Sequence, residues 1–133
     1  YRLAVLFQLC FPGIPSVFYG DELGASGLVE ADYRRPMPWQ GGNEKLLAFY
    51  RRAIALRREL APLRRGDFRC VSAERGSGLF AFSREYGGER VFVALNCSDR
   101  AEKCALPGEK LWSEGLEADK IGPYGFAVTV LRG

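Results

Sequence analysis

The chain has 133 residues, 47% of them apolar and 26% charged, with nineteen Lys and Arg against sixteen Asp and Glu. That composition fits a folded globular protein and excludes disordered, collagen-like and mucin-like classes. The small positive excess is spread over both halves, which argues against a nucleic-acid surface, and no apolar run reaches the length that crosses a bilayer. Histidine is absent, so no Ser-His-Asp or Cys-His arrangement can be built from these residues. Cys10, Cys70, Cys97 and Cys104 show no Cys-x-x-Cys spacing, so no metal site is expected. They read as free, mostly buried thiols of a reducing, cytoplasmic compartment, with a bridge between Cys97 and Cys104 as the alternative.

In chain order, residues 1–11 (YRLAVLFQLCF) predict a helix apolar on nearly every side, with Leu3, Leu6, Phe7 and Cys10 at helical spacing. Pro12-Gly13 marks a turn. Residues 16–19 (SVFY), an apolar run without alternation between Pro15 and Gly20, predict a short strand covered on both faces. Such a strand needs neighbours that the remaining sequence does not supply, so the chain is expected to be the tail of something larger. Residues 23–39 have no period and carry Gly24, Gly27, Pro36 and Pro38, the marks of a long structured loop. Asn43 is placed to cap a helix over residues 44–60, whose Leu46, Tyr50 and Ile54 side is expected to be buried and whose Arg51, Arg52, Arg57 and Arg58 keep the other side wet.

Pro62 is expected to stop that helix, and the texture changes after it. Residues 68–73, 78–86, 89–96, 101–106, 110–113 and 125–131 are strand candidates, separated by Gly, Pro, Asn and Ser clusters, with Gly87-Gly88 as a tight hairpin. Strands at that spacing with no helix between them predict an antiparallel sandwich or sheet domain. The chain therefore divides into residues 1–61 and 62–133.

Little in the chain carries chemistry. Asp21 and Glu22 follow the predicted strand directly, but neighbours on an extended chain point opposite ways and cannot both face one glycosidic oxygen. They are read as residues that hold loop backbone. Arg34 and Arg35 present guanidinium forks suited to a ligand hydroxyl or carboxylate, or to pairing with Asp32 or Asp21.

The run from Pro12 to Gly24 (PGIPSVFYGDELG) resembles the eighth strand of the alpha-amylase family of glycoside hydrolases, and Tyr33 to Trp39 (YRRPMPW) resembles the loop after it. Residues 46–69 resemble that family's eighth barrel helix and its exit, and residues 123–128 (PYGFAV) the last strand of its C-terminal domain. The order and spacing of these motifs cover essentially the whole chain. The RRPMPW form is most like the branch of cyclomaltodextrinases, neopullulanases and maltogenic amylases.

The resemblance implies an α+β fragment: the last strand and helices of a (β/α)8 barrel in residues 1–61, then an antiparallel β-sandwich C-terminal domain in residues 62–133. It implies a retaining alpha-glucan hydrolase as the parent, with its catalytic carboxylates on earlier strands, so no catalytic residue, cofactor or metal is expected here. Arg34 matches the family's loop arginine beside the donor subsites. Glu30 falls where these enzymes carry an aspartate that hydrogen-bonds a glucose unit, and Ala31 replaces the usual proline. The partners implied are an alpha-glucan oligosaccharide and the missing barrel, with a second copy of the chain as an alternative cover for the strand. Two further readings of residues 62–133 stand beside this one: a sugar-binding module using Trp112, Tyr86 or Tyr124 as a stacking platform, and a purely structural cap in which Trp112 packs inward.

Overall fold

The computed structural model describes residues 1–133, the side chain of Tyr33 excepted. Three α-helices precede an antiparallel sheet: α1 (Arg2–Cys10), α2 (Glu44–Glu59) and α3 (Ala61–Arg65), then β1 (Asp67–Ser72), β2 (Leu79–Tyr86), β3 (Glu89–Asn96), β4 (Glu102–Lys103), β5 (Glu109–Glu117) and β6 (Lys120–Arg132). Asn43 caps α2 as its position suggests, its Oδ1 accepting from the Leu46 amide at 3.0 Å. Pro62 ends α2 and also stands in the first turn of α3, where its missing N–H costs nothing.

The strands β1, β2, β3 and β6 lie side by side in that order, β5 runs along the free edge of β6, and β4 pairs with the beginning of β6. All pairings are antiparallel. Of the two forms expected for residues 62–133, sandwich or sheet, the strands build one continuous six-stranded antiparallel sheet. Two irregularities in β5 and the Gly122–Gly125 stretch of β6, where Tyr124 takes a φ of 52°, bend the β5–β6 ribbon. Gly125 permits the bend, since a Cβ there would lie 2.6 Å from the Glu114 carbonyl oxygen. The bent end brings Cys104 and Ile121 over Leu79, Ala81, Ala94 and Ala127, so the sheet supplies its own second layer.

The larger core lies on the other face. Alternation along the strands sends Phe82, Val91, Val93, Leu95, Phe126, Val128 and Val130 toward the helices, where they meet Val5, Leu6 and Leu9 of α1 and Leu46, Phe49, Tyr50 and Ala53 of α2. Trp112 is buried between Phe49 and Phe126, with ring centroids at 4.7 and 4.9 Å, and the Arg52 guanidinium covers its ring at 4.7 Å. The packing role expected for Trp112 is the observed one.

Ile54 departs from expectation and is 38% exposed. The face of α2 nearest the sheet centres on Ala53, fully buried with only a methyl to separate backbone from strands. Position 54 lies about 100° further round the helix, at the margin of that face. The cysteines are free thiols as expected, without the alternative bridge between Cys97 and Cys104, but Cys70 and Cys97 are exposed rather than buried. Replacing Phe126 by Ala should cost about 3 to 5 kcal/mol, and Ile54→Ala less than about 1 kcal/mol. Urea unfolding of both variants beside the parent chain measures the contrast.

Candidate substrate-side loop

The loop between α1 and α2 begins with a correction. Residues 14–18 take no regular structure and pair with no strand among the described residues, so the predicted strand over 16–19 does not form. A strand is stabilised by neighbours, and this segment makes local bonds instead: Gln8 Nε2 donates to the Ser16 carbonyl at 2.6 Å and the Asp21 amide to the Phe18 carbonyl at 3.1 Å. Ile14 is 98% exposed, and Val17, Phe18 and Tyr19 also face solvent.

At Gly20 the chain turns through the left-handed region (φ 91°) into a single 3-10 turn over Asp21–Leu23. Glu22 reaches back to accept from the Gly20 amide at 3.0 Å, which is the backbone-holding role expected of it. The Ala25 amide bonds the Gly20 carbonyl at 2.9 Å, and the Asn43 amide bonds the Leu23 carbonyl at 2.9 Å, tying the loop's start to the cap of α2. Gly42 packs flat on Leu23, where a Cβ would come within 2.8 Å of that side chain.

A second 3-10 helix, Glu30–Arg34, carries the predicted binding residues. Asp32 anchors it: Oδ2 accepts from the Leu28 amide at 2.9 Å and the Val29 amide at 3.3 Å, and Oδ1 takes the Arg35 guanidinium. These two amides first, and Arg35 after them, hold the Asp32 carboxyl below its ordinary value. Tyr19 Oη donates to the Arg35 carbonyl at 3.1 Å, so the loop closes on its own beginning. Between the two limbs lies a cleft of about 320 Å³ lined by Phe18, Tyr19, Asp21, Asp32, Arg35 and Pro38.

Arg34 and Glu30 are paired with each other, one helical step apart, and stand 76% and 80% exposed on the outer surface. The structure thus brings the two predicted residues together, outside the cleft. Arg35, Asp32 and Asp21 line the cleft instead, and Arg35 pairs with Asp32 while Arg34 pairs with neither Asp32 nor Asp21 among the described residues. No group of three His, Cys, Asp or Glu able to hold a metal occurs among the described residues.

Sequence reasoning missed Arg84 and the inward role of Arg57. Their guanidinium groups bond the carbonyls at the exit of α1, from which the loop departs. The alternation in residues 80–84 carried a signal, because it sets Arg84 on the same face as Phe80 and Phe82.

This arrangement, two helices on one face of a bent antiparallel sheet with a long loop at the helix exit, is that of enzymes acting on alpha-glucans. The crystal structure of a debranching enzyme from Nostoc punctiforme matches it with a TM-score of 0.85 at 26% identity, over 96% of this chain and 30% of that one. In sequence the chain is 39% identical to neopullulanase 2 of Thermoactinomyces vulgaris, over 99% of its own length and 24% of the enzyme's. It is 42% identical to a cyclomaltodextrinase of Thermoanaerobacter pseudethanolicus, over 76% of its own length and 18% of the enzyme's. No family model matches. The chain belongs to the alpha-amylase family of glycoside hydrolases and is most like its neopullulanase and cyclomaltodextrinase branch. It spans 24% and 18% of the length of these two curated relatives.

The lowered Asp32 value sets a pH dependence. A carboxyl depressed in the folded loop stabilises it above the ordinary carboxylate range, and that contribution is lost as pH falls through the lowered value. The Leu28 and Val29 amide resonances should therefore titrate together, with a midpoint below that of a free aspartate. In Asp32→Asn they should sit at loop-opened shifts at every pH.

Proposed function

We propose that this chain is the C-terminal part of a retaining alpha-glucan hydrolase whose catalytic carboxylates lie on strands outside it. Residues 1–61 would be the end of the catalytic barrel and residues 62–133 its C-terminal domain. The observation that carries this reading is the 39% identity to a neopullulanase along nearly the whole chain, which amounts to only 24% of that enzyme. The exposed apolar run at residues 14–18, which has no strand partner among the described residues, supports it. A neighbouring barrel strand would supply the missing ladder; where that barrel is absent, a second copy is the other available cover. Four free thiols suit a reducing, cytoplasmic compartment.

In this reading Arg34 and Glu30 meet a glucose unit of the donor side. Their mutual ion pair is exposed and contributes little to stability, so Arg34 can exchange it for sugar hydroxyls at small cost. The alternative of a stacking module loses its physical basis: Trp112 is covered by Arg52, and Tyr86 and Tyr124 sit at opposite ends of β3, roughly 20 Å apart at strand rise. A structural role for the sheet is the reading that its helix-covered face favours.

The isolated chain should release no reducing sugar from maltooligosaccharides, cyclodextrins or pullulan; turnover that follows this protein through repurification would end the proposal. In a complete enzyme carrying this segment, Arg34→Ala should lower kcat/KM about tenfold to a thousandfold, about 1.4 to 4 kcal/mol, with little change in Tm. Arg35→Ala, which removes the guanidinium from Asp32, should lower Tm more and activity less. Steady-state kinetics beside melting curves separates the two arginines, and an Arg34 variant with full activity would remove its substrate role.

A further inference from the structure

Arg84 is 2% exposed, among apolar neighbours on the helix-facing side of β2. Its Nη1 donates to the carbonyls of Cys10 at 2.9 Å and Leu63 at 3.1 Å, and its Nε and Nη2 both donate to Gly66, at 3.2 and 2.8 Å. Arg57, in the last turn of α2, donates Nη1 to the carbonyls of Leu9 at 2.7 Å and Phe11 at 3.2 Å, and Nη2 to Gly13 at 2.5 Å. Neither guanidinium forms an ion pair among the described residues. The Cys10 thiol beside them is no counter-ion either: burial pushes it up to about 12, although both arginines pull the other way.

A buried charge without a carboxylate is expensive unless hydrogen bonds and a dipole offset it. Carbonyls take four of the five N–H groups of Arg84 and three of the five of Arg57, and those of Leu9 and Cys10 belong to the negative pole of α1. Two arginines from separate elements therefore converge on the exit of α1, Arg57 on the carbonyls of Leu9, Phe11 and Gly13 and Arg84 on that of Cys10, at the point where the chain leaves the core. The next stretch, 14–18, has no ladder to hold it.

We propose that Arg57 and Arg84 are positioning residues, a latch on the exit of α1 that fixes the direction in which residues 14–42 leave the sheet, and with them the loop bearing Glu30 and Arg34. Only the latch's bearing on a glucan rests on the function proposed above; the latch itself concerns this chain alone.

Cys10 is 0% exposed and reports on it. Two single-thiol versions of the chain are needed, both with Cys70→Ser and Cys97→Ser: one with Cys104→Ala retains Cys10, the other with Cys10→Ala retains Cys104 in the opposite layer. Labelling by an aromatic disulfide reagent at pH 8 then reads local opening at each place. Arg57→Met should speed labelling of Cys10 about tenfold or more while leaving Cys104 within about twofold. Amide exchange over residues 11–24 should rise in step, with the β3–β6 ladder unchanged. Arg57→Lys, which keeps a cation but loses the fork, should fall between Met and the parent, and Arg84→Lys should open the same site. An unchanged Cys10 rate in Arg57→Met, a Cys104 rate that rises equally, or a Lys variant no better than Met would overturn the latch. No sugar enters the measurement, so a failed latch and a failed functional reading remain separate results.

Discussion

The apolar face shared by β2, β3, β5 and β6 has to be kept from water, and α1 and α2 are what covers it. Phe82, Val91, Val93, Phe126, Val128 and Val130 meet Val5, Leu6, Leu9, Leu46, Phe49 and Ala53 in a single cluster, so helices and sheet share one core. Burial of that size dominates the favourable side of folding. It also dictates where α1 must end, and the loop geometry follows from that end point. The opposite face needs no outside cover, because the bend at Gly122–Gly125 folds the β5–β6 ribbon over a small patch of Ala, Leu and Ile side chains.

The loop over residues 20–42 is held by polar bonds rather than by burial. Glu22 and Asp32 spend their oxygens on the backbone amides of Gly20, Leu28 and Val29, and Tyr19 closes the ring onto the Arg35 carbonyl. Both carboxylates brace the loop, Glu22 through one amide and Asp32 through two amides and the Arg35 guanidinium. What remains available is the outer pair, Arg34 with Glu30, whose exposure leaves it free to exchange partners.

The same frame accounts for the aromatic side chains. Those of residues 62–133 weighed as a sugar platform are either inside the core, as Trp112 is, or far apart, as Tyr86 and Tyr124 are. Trp112 is sandwiched by Phe49, Phe126 and the Arg52 guanidinium, and Phe7, Phe11, Phe68, Phe80 and Phe82 pack ring against ring where β1 and β2 meet the end of α1. Aromatic rings at the seam bring the large buried area that a sheet and two short helices need.

Local pattern determined a good deal by itself. The helical spacing from Leu46 onward, the capping Asn43, the Gly87-Gly88 hairpin and the alternation in residues 89–96 each follow from nearest-neighbour geometry, and each forms where it is read. The family was legible too, in motifs whose order the fold preserves. Tertiary structure alone decided four things. Residues 16–19 have a strand's sequence and no ladder, because backbone pairing depends on a partner the segment itself cannot name. Ile54 lies at the margin of its helix face, since periodicity gives a stripe but not which side of it meets the sheet. Cys97 and Cys104 end up on different surfaces, one exposed and one buried. Arg84 is tolerated in the core because the carbonyls of Cys10 and of Leu63 and Gly66 converge on it from two separate places in the chain, and a charge's burial depends on where its partners arrive rather than on its own neighbours in sequence.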